Sequence, residues 1–179
     1  MLLAGPLAVA AMARRRIGWQ VDRLAIRNAL VLTAAIVPIY VVGSVLPSIR
    51  SFYPLWSPDP SPLAFLPYAA ALGVIILATE TYYRGLLCVG IADIGPVCIL
   101  VSPVLYTIWH LGHPPIELLL SAPADILFGA VDYRSDSILP SVTAHTVGFV
   151  TLMWLVSRPP IVPQEPILEL FSWLPVVSV

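Results

Sequence analysis

No charged residue interrupts the chain from Leu63 to Ala78, and other largely apolar runs lie at Ala29–Leu46, Val97–Leu111, Ile116–Val131 and Ile138–Val156. Runs of this length are read as membrane-spanning helices or short spans. Composition agrees with that reading: 59% of residues are hydrophobic and 11% charged. Soluble domains sit near 45–50% and about 25%. The net charge of -1 offers nothing to a nucleic acid, so the expected partners are the lipid bilayer and something embedded in it. The expected fold class is all-α: a polytopic membrane helical bundle of about five spans plus a short N-terminal apolar helix. Residues 1–179 read as a single membrane domain.

Met1 to Ala13 is apolar but short, and Arg14-Arg15-Arg16 follows it, where a secretory signal would carry its charge first. A short interfacial or partly inserted helix is the expectation. With Arg23 and Arg27 these arginines gather just before Ala29–Leu46, which predicts that this end is cytoplasmic. Pro47 to Pro62 reads as an outer loop with Tyr53 and Trp56 as interfacial anchors. Ala92 to Pro96 reads as a turn, and Asp132 to Asp136 as a polar one. The tail from Arg158 carries five prolines and an apolar end, as if lying on the surface. Cys88 and Cys98 have no metal-type spacing and read as buried packing residues.

Against this background Glu80 and Arg84 stand out. On a continuous helix they lie at i and i+4, about 40° apart, and meet on one face. An isolated ion at the bilayer centre costs roughly 2.5–3.5 kcal/mol on insertion scales, so such a pair marks a site. His110 and His145 fall on two other spans. A buried carboxylate that takes a proton from water, one histidine that positions that water and one that donates to the oxyanion would suffice for hydrolysis. Each residue also has a structural reading: Glu80 and Arg84 as a helix-locking ion pair, each histidine as an interhelical hydrogen-bond donor. Tyr106 shares a helix face with His110. Asp125 reads as a cap of the following turn, and His113 as an interfacial residue.

In order, these motifs resemble the CPBP family of intramembrane proteases, the CAAX-processing and bacteriocin-processing enzymes related to the Ras-converting endopeptidase. The family's Glu-Glu-x-x-x-Arg is matched by Thr79-Glu80-Thr81-Tyr82-Tyr83-Arg84, and its Phe-x-x-x-His by Tyr106 to His110. Its His-x-x-x-Asn is matched at His145 but meets Phe149 at the far end. The approach Phe128-Gly129…Arg134-Ser135-Asp136-Ser137-Ile138-Leu139-Pro140 is also similar, and the likeness covers about residues 63–156. It implies that the first Glu and the second-motif His activate water, that the last His and Asn hold the oxyanion, and that the second Glu with the Arg braces the helix. Here Thr79 replaces the first Glu and Phe149 the Asn. Losing a general base costs typically 10²–10⁴ in rate, and losing an oxyanion donor about 10²–10³. A helix bulge turning Glu80 toward His110, or Thr79 holding water while Glu80 supplies charge, would offset the first loss.

The resemblance implies a glutamic-type intramembrane endopeptidase in a bacterial or archaeal cytoplasmic membrane. It would use Glu80, His110 and His145, supported by Arg84, Thr79 and Tyr106, on a membrane-anchored peptide of the CAAX or C-terminal sorting-segment kind, without a cofactor. Two alternatives stay open. One is a catalytically inactive relative that binds a membrane peptide or acts as an immunity protein. The other is a zinc protease with Glu80, His110 and His145 as ligands, joined by His113.

Overall fold

The structure, a computed structural model, describes residues 4–56, 58–59 and 61–174. The expectations for residues 1–3 and for the last five residues of the tail lie outside the described residues. Among the described residues the regular structure is entirely helical. The short N-terminal helix is present as α1 (Ala4–Met12). Asp22 caps α2 (Arg23–Gly43), its carboxylate accepting the Ala25 N–H at 2.7 Å. After α3 (Pro47–Phe52), α4 (Pro62–Glu80) starts on a proline at its first turn, where the missing N–H is no loss.

The helix then widens into a π-helical stretch over Thr81–Leu86. A 3-10 segment, Val89–Leu100, is broken at Ile91 and Gly95, inside or beside the expected turn, and leads into α5 (Val101–Trp109). Next come α6 (Pro115–Ser135), α7 (Leu139–Val156) and α8 (Gln164–Leu170). The most extensive packing joins α2 to α7, with α4 on α7 and α5 on α6 completing the bundle.

Four segments are long and apolar enough to cross a membrane: 23–43, 62–86, 89–109 and 139–156. The fifth expected span is α6. It has 21 residues, but Glu117, Asp125, Asp132 and Arg134 make it the most polar of the long helices. Its acids turn inward: Asp125 and Asp132 are buried. The whole chain inverts the soluble pattern, with Leu63 82% exposed and Leu30 66% while Glu80 and Asp132 are at 0%. Apolar side chains outside and ions inside suit a lipid surround.

Three details fix how the helices meet. Gly148 on α7 lies against the Tyr40 ring of α2, and a Cβ there would collide with it. Arg50, from α3, donates to the carbonyls of Leu155, Val156 and Arg158, closing the orphan C-terminal end of α7. Gly18 accepts the Ile138 N–H at 2.8 Å and Gln20 accepts the Ser137 hydroxyl at 2.6 Å, so the arginine-rich segment closes over the α6–α7 turn. Two expectations are corrected. Tyr53 is not an interfacial anchor: it is 3% exposed and packs inward among Phe52, Phe149 and the aromatic core. The other concerns the tail, which lies on the surface as expected, with no buried residue among 158–174, but is not free of the bundle: Phe171 and Leu174, partly buried, rest against that core.

Candidate active site

The π-helical stretch begins directly after Glu80, yet it keeps Arg84 within reach. Arg84 Nε lies 3.1 Å from Glu80 Oε2, and Arg84 Nη2 lies 2.5 Å from Asp125 Oδ1. All three side chains are at most 1% exposed. Asp125 is therefore not a turn cap. It is the second carboxylate of a buried triad, supplied by α6. The Arg84 guanidinium is covered by the rings of Tyr106 at 4.4 Å and Phe128 at 5.5 Å. A planar cation between two carboxylates and two aromatic faces needs little water.

Glu80 has a further partner. His145 Nδ1 lies 2.5 Å from Glu80 Oε1, so its Nδ1–H donates to the carboxylate and Nε2 is the ring atom not engaged by Glu80. Glu80 itself has no exposed surface and takes no part in the cavity wall. His145 does line that wall, its side chain 14% exposed. A bulge exists, but it follows Glu80 in the chain, and Glu80 meets His145 and not His110.

His110 belongs to a second group. It ends α5, where Gly112 at φ +91 lets the chain reverse into Pro114-Pro115 and α6. Its Nδ1 lies 2.7 Å from the Tyr106 carbonyl, so Nδ1 carries the proton. Its Nε2 faces Glu117 Oε1 at 3.5 Å. His113 Nδ1 reaches the same oxygen at 3.0 Å, and the Tyr53 hydroxyl lies 2.9 Å from both oxygens of Glu117. Burial, and then the Glu117 carboxylate, push the Tyr53 phenol up from its ordinary pKa, so it stays a donor. The His113 ring packs at a tilt against Phe52 and His110 and stays partly exposed.

Both groups look onto one cavity of about 530 Å3, walled by Arg84, Tyr106, His110, Glu117, His145 and Phe149 among apolar side chains. Thr79 is not in that wall. Its hydroxyl donates to the Ile75 carbonyl of its own helix at 2.9 Å. Phe149 packs its edge on Tyr53 and His145 and makes that wall apolar. The imagined ligand set Glu80–His110–His145 does not form. The described side chains close enough to share an ion are His110, His113 and Glu117.

A family model, Type II CAAX prenyl endopeptidase Rce1-like, matches residues 59–148, half of the chain. The chain belongs to the Rce1-like family. It is thus an integral membrane protein of an intramembrane peptidase family. The Rce1-like match contains Glu80, Arg84, His110 and His145 and stops just short of Phe149. No curated protein and no solved structure matches the chain.

Sequence reasoning missed Glu117 as a partner of His110, and Tyr53 as the partner of Glu117. The one local signal was His113-x-x-x-Glu117, an i,i+4 pair running into a helix that starts on proline. Tyr53 comes from 64 residues away and left no signal at all.

Proposed function

We propose that the chain is an intramembrane endopeptidase that cleaves a membrane-anchored peptide, of CAAX or C-terminal sorting-segment type, in a cytoplasmic membrane. The observation that carries this is the Glu80–His145 hydrogen bond at the cavity wall. In this reading His145 Nε2 takes the proton from water as it attacks the peptide carbonyl. Glu80 fixes the tautomer and steadies the imidazolium that forms, the role a buried acid has beside a catalytic histidine. Glu80 acts through His145, which departs from the expectation that it activates water itself. Arg84 and Asp125 hold Glu80 in place. His110 offers a second proton-transfer position, its Nε2 turned to Glu117, and Tyr106 positions His110 through its carbonyl. The apolar wall suits a lipid-anchored or hydrophobic segment.

A second reading has its own support. Phe149 stands where an amide would donate to the oxyanion, and Thr79 is spent on its own helix. These favour a relative that holds a membrane peptide without cutting it. Reconstitution in vesicles with a membrane-anchored reporter peptide separates the two. Cleavage by native protein that falls about 10²-fold or more in His145→Gln is the expected result. Saturable binding of the reporter with no product would establish the binder instead.

A further inference from the structure

We infer that Asp132 is a positioning residue for His145, carried as a neutral carboxylic acid whose proton is kept behind the cavity wall. Asp132 lies in the last turn of α6 with no exposed surface. Its Oδ1 accepts the Ser141 N–H at 3.1 Å, and its backbone carbonyl accepts the Ser137 N–H at 3.2 Å. It thereby ties the end of α6 to the first turn of α7. Ser141 precedes His145 by four residues, on the same face of α7. The Ser141 hydroxyl interacts with the carboxyl groups of both Asp132 and Glu80, and Glu80 meets His145, so the four side chains form one connected group.

Counting charges decides the state of this acid. Glu80, Asp125 and Asp132 are three carboxyl groups, each at most 1% exposed. The cations that touch them are Arg84 and, when protonated, His145. Arg84 is engaged by Glu80 at 3.1 Å and by Asp125 at 2.5 Å, and His145 by Glu80 at 2.5 Å. Among the described residues Asp132 makes no ion pair. Three buried anions against two cations would leave one charge unmatched, and burial penalises an unmatched charge heavily. A proton on Asp132 removes it.

The hydrogen bonds agree. Asp132 Oδ2 is buried without a partner among the described residues. A carboxylate would point an anionic oxygen at no donor there. An acid instead has an O–H to give, and the Ser141 hydroxyl, whose own proton goes to the Ile138 carbonyl at 3.1 Å, has lone pairs to accept it. The Ser141 N–H at the start of α7 favours a charged acid, but one backbone donor offsets only part of the cost of burying an ion. Apolar sites can keep a carboxylic acid neutral in this way.

The titratable and charged groups around Asp132 and His145 are Glu80 and Arg84 at the end of α4 and just after it, Asp125 on α6, His110 at the end of α5, Tyr40 on α2 and the Cys88 thiol. An ionised Asp132 would add a negative charge that holds the imidazole in its protonated form. A neutral Asp132 lets His145 take and release a proton beside Glu80. That use of the proton rests on the proposed peptidase reading; the state of Asp132 does not.

Infrared spectroscopy of the full chain at neutral pH, in a maltoside detergent that has no ester carbonyl, tests the inference. Exposed carboxyls are ionised there. The native protein should show one protonated-carboxyl C=O band above the amide I region. That band should shift down in protein made with 13C-carboxyl aspartate and vanish in Asp132→Asn. With 15N-labelled imidazole, NMR should show His145 titrating at the same pH in Asp132→Asn as in the native protein, because the amide copies the neutral acid. No band in the native protein, a band that ignores the aspartate label, or one that persists in folded Asp132→Asn overturns the inference. A lower His145 titration midpoint in that variant overturns it equally, since it would show that a negative charge had been removed. The labelled native protein can overturn the inference even where Asp132→Asn does not fold, and none of these readouts depends on cleavage of a peptide.

Discussion

Replacing Arg84 by methionine would leave Glu80 and Asp125 facing each other with no cation between them. Both carboxylates are at most 1% exposed, so water cannot take the place of the guanidinium. Removing one partner of a buried pair typically costs 3–5 kcal/mol. Arg84→Met should therefore lose about that much stability in a detergent unfolding titration. Arg84→Lys should recover only part, because an ammonium is a point charge and cannot span two acids and two rings. A midpoint unchanged in Arg84→Met would show that the triad carries no net weight. At this scale the sequence was partly legible. Glu80 and Arg84 meet because the i,i+4 spacing is local, and the π-helical widening after Glu80 did not part them. Asp125 was misread because its role is set by a helix far away in sequence. Glu117 was overlooked because only one of its partners, His113, is near in the chain.

Between elements, the tightest seam is that of α2 with α7. Gly148 faces the Tyr40 ring there, so Gly148→Ala should force the ring aside at a cost of about 1–3 kcal/mol. Gly43→Ala, with nothing within 4 Å of the added methyl, is the control and should cost nothing measurable by the same titration. Equal stability of the two variants would mean that the seam yields freely. Arg50 acts on the other end of α7. Arg50→Met removes donors from the last carbonyls of that helix, and each orphaned carbonyl is worth about 1–3 kcal/mol. Slower hydrogen exchange at the end of α7 in that variant would contradict the clamp; faster exchange is expected. Helix positions were readable because apolar runs and flanking prolines are local signals. The pairing of α2 with α7 was not, since one apolar face looks like another until glycines and rings are set against each other.

For the molecule as a whole, its class was legible from hydropathy alone, because lipid dictates which side chains go outside. The exposed leucines and buried ions follow from the same rule. The expected site was legible only as a set of residues. Glu80, His110 and His145 do gather around one cavity, but as two groups: Glu80 hidden behind His145, and His110 joined to Glu117. Which carboxylate serves which imidazole depends on how three helices are rotated, and no residue pattern within one helix encodes that. The account's central claim is that Glu80 acts on the peptide only through His145. Its most direct test is a double-mutant cycle on cleavage of a membrane-anchored reporter in vesicles, with Glu80→Gln, His145→Gln and both together. Residues that act as one unit are strongly non-additive. The double variant should cleave no more slowly than His145→Gln alone. If the two losses instead multiply, Glu80 works on the substrate by itself and the account is wrong.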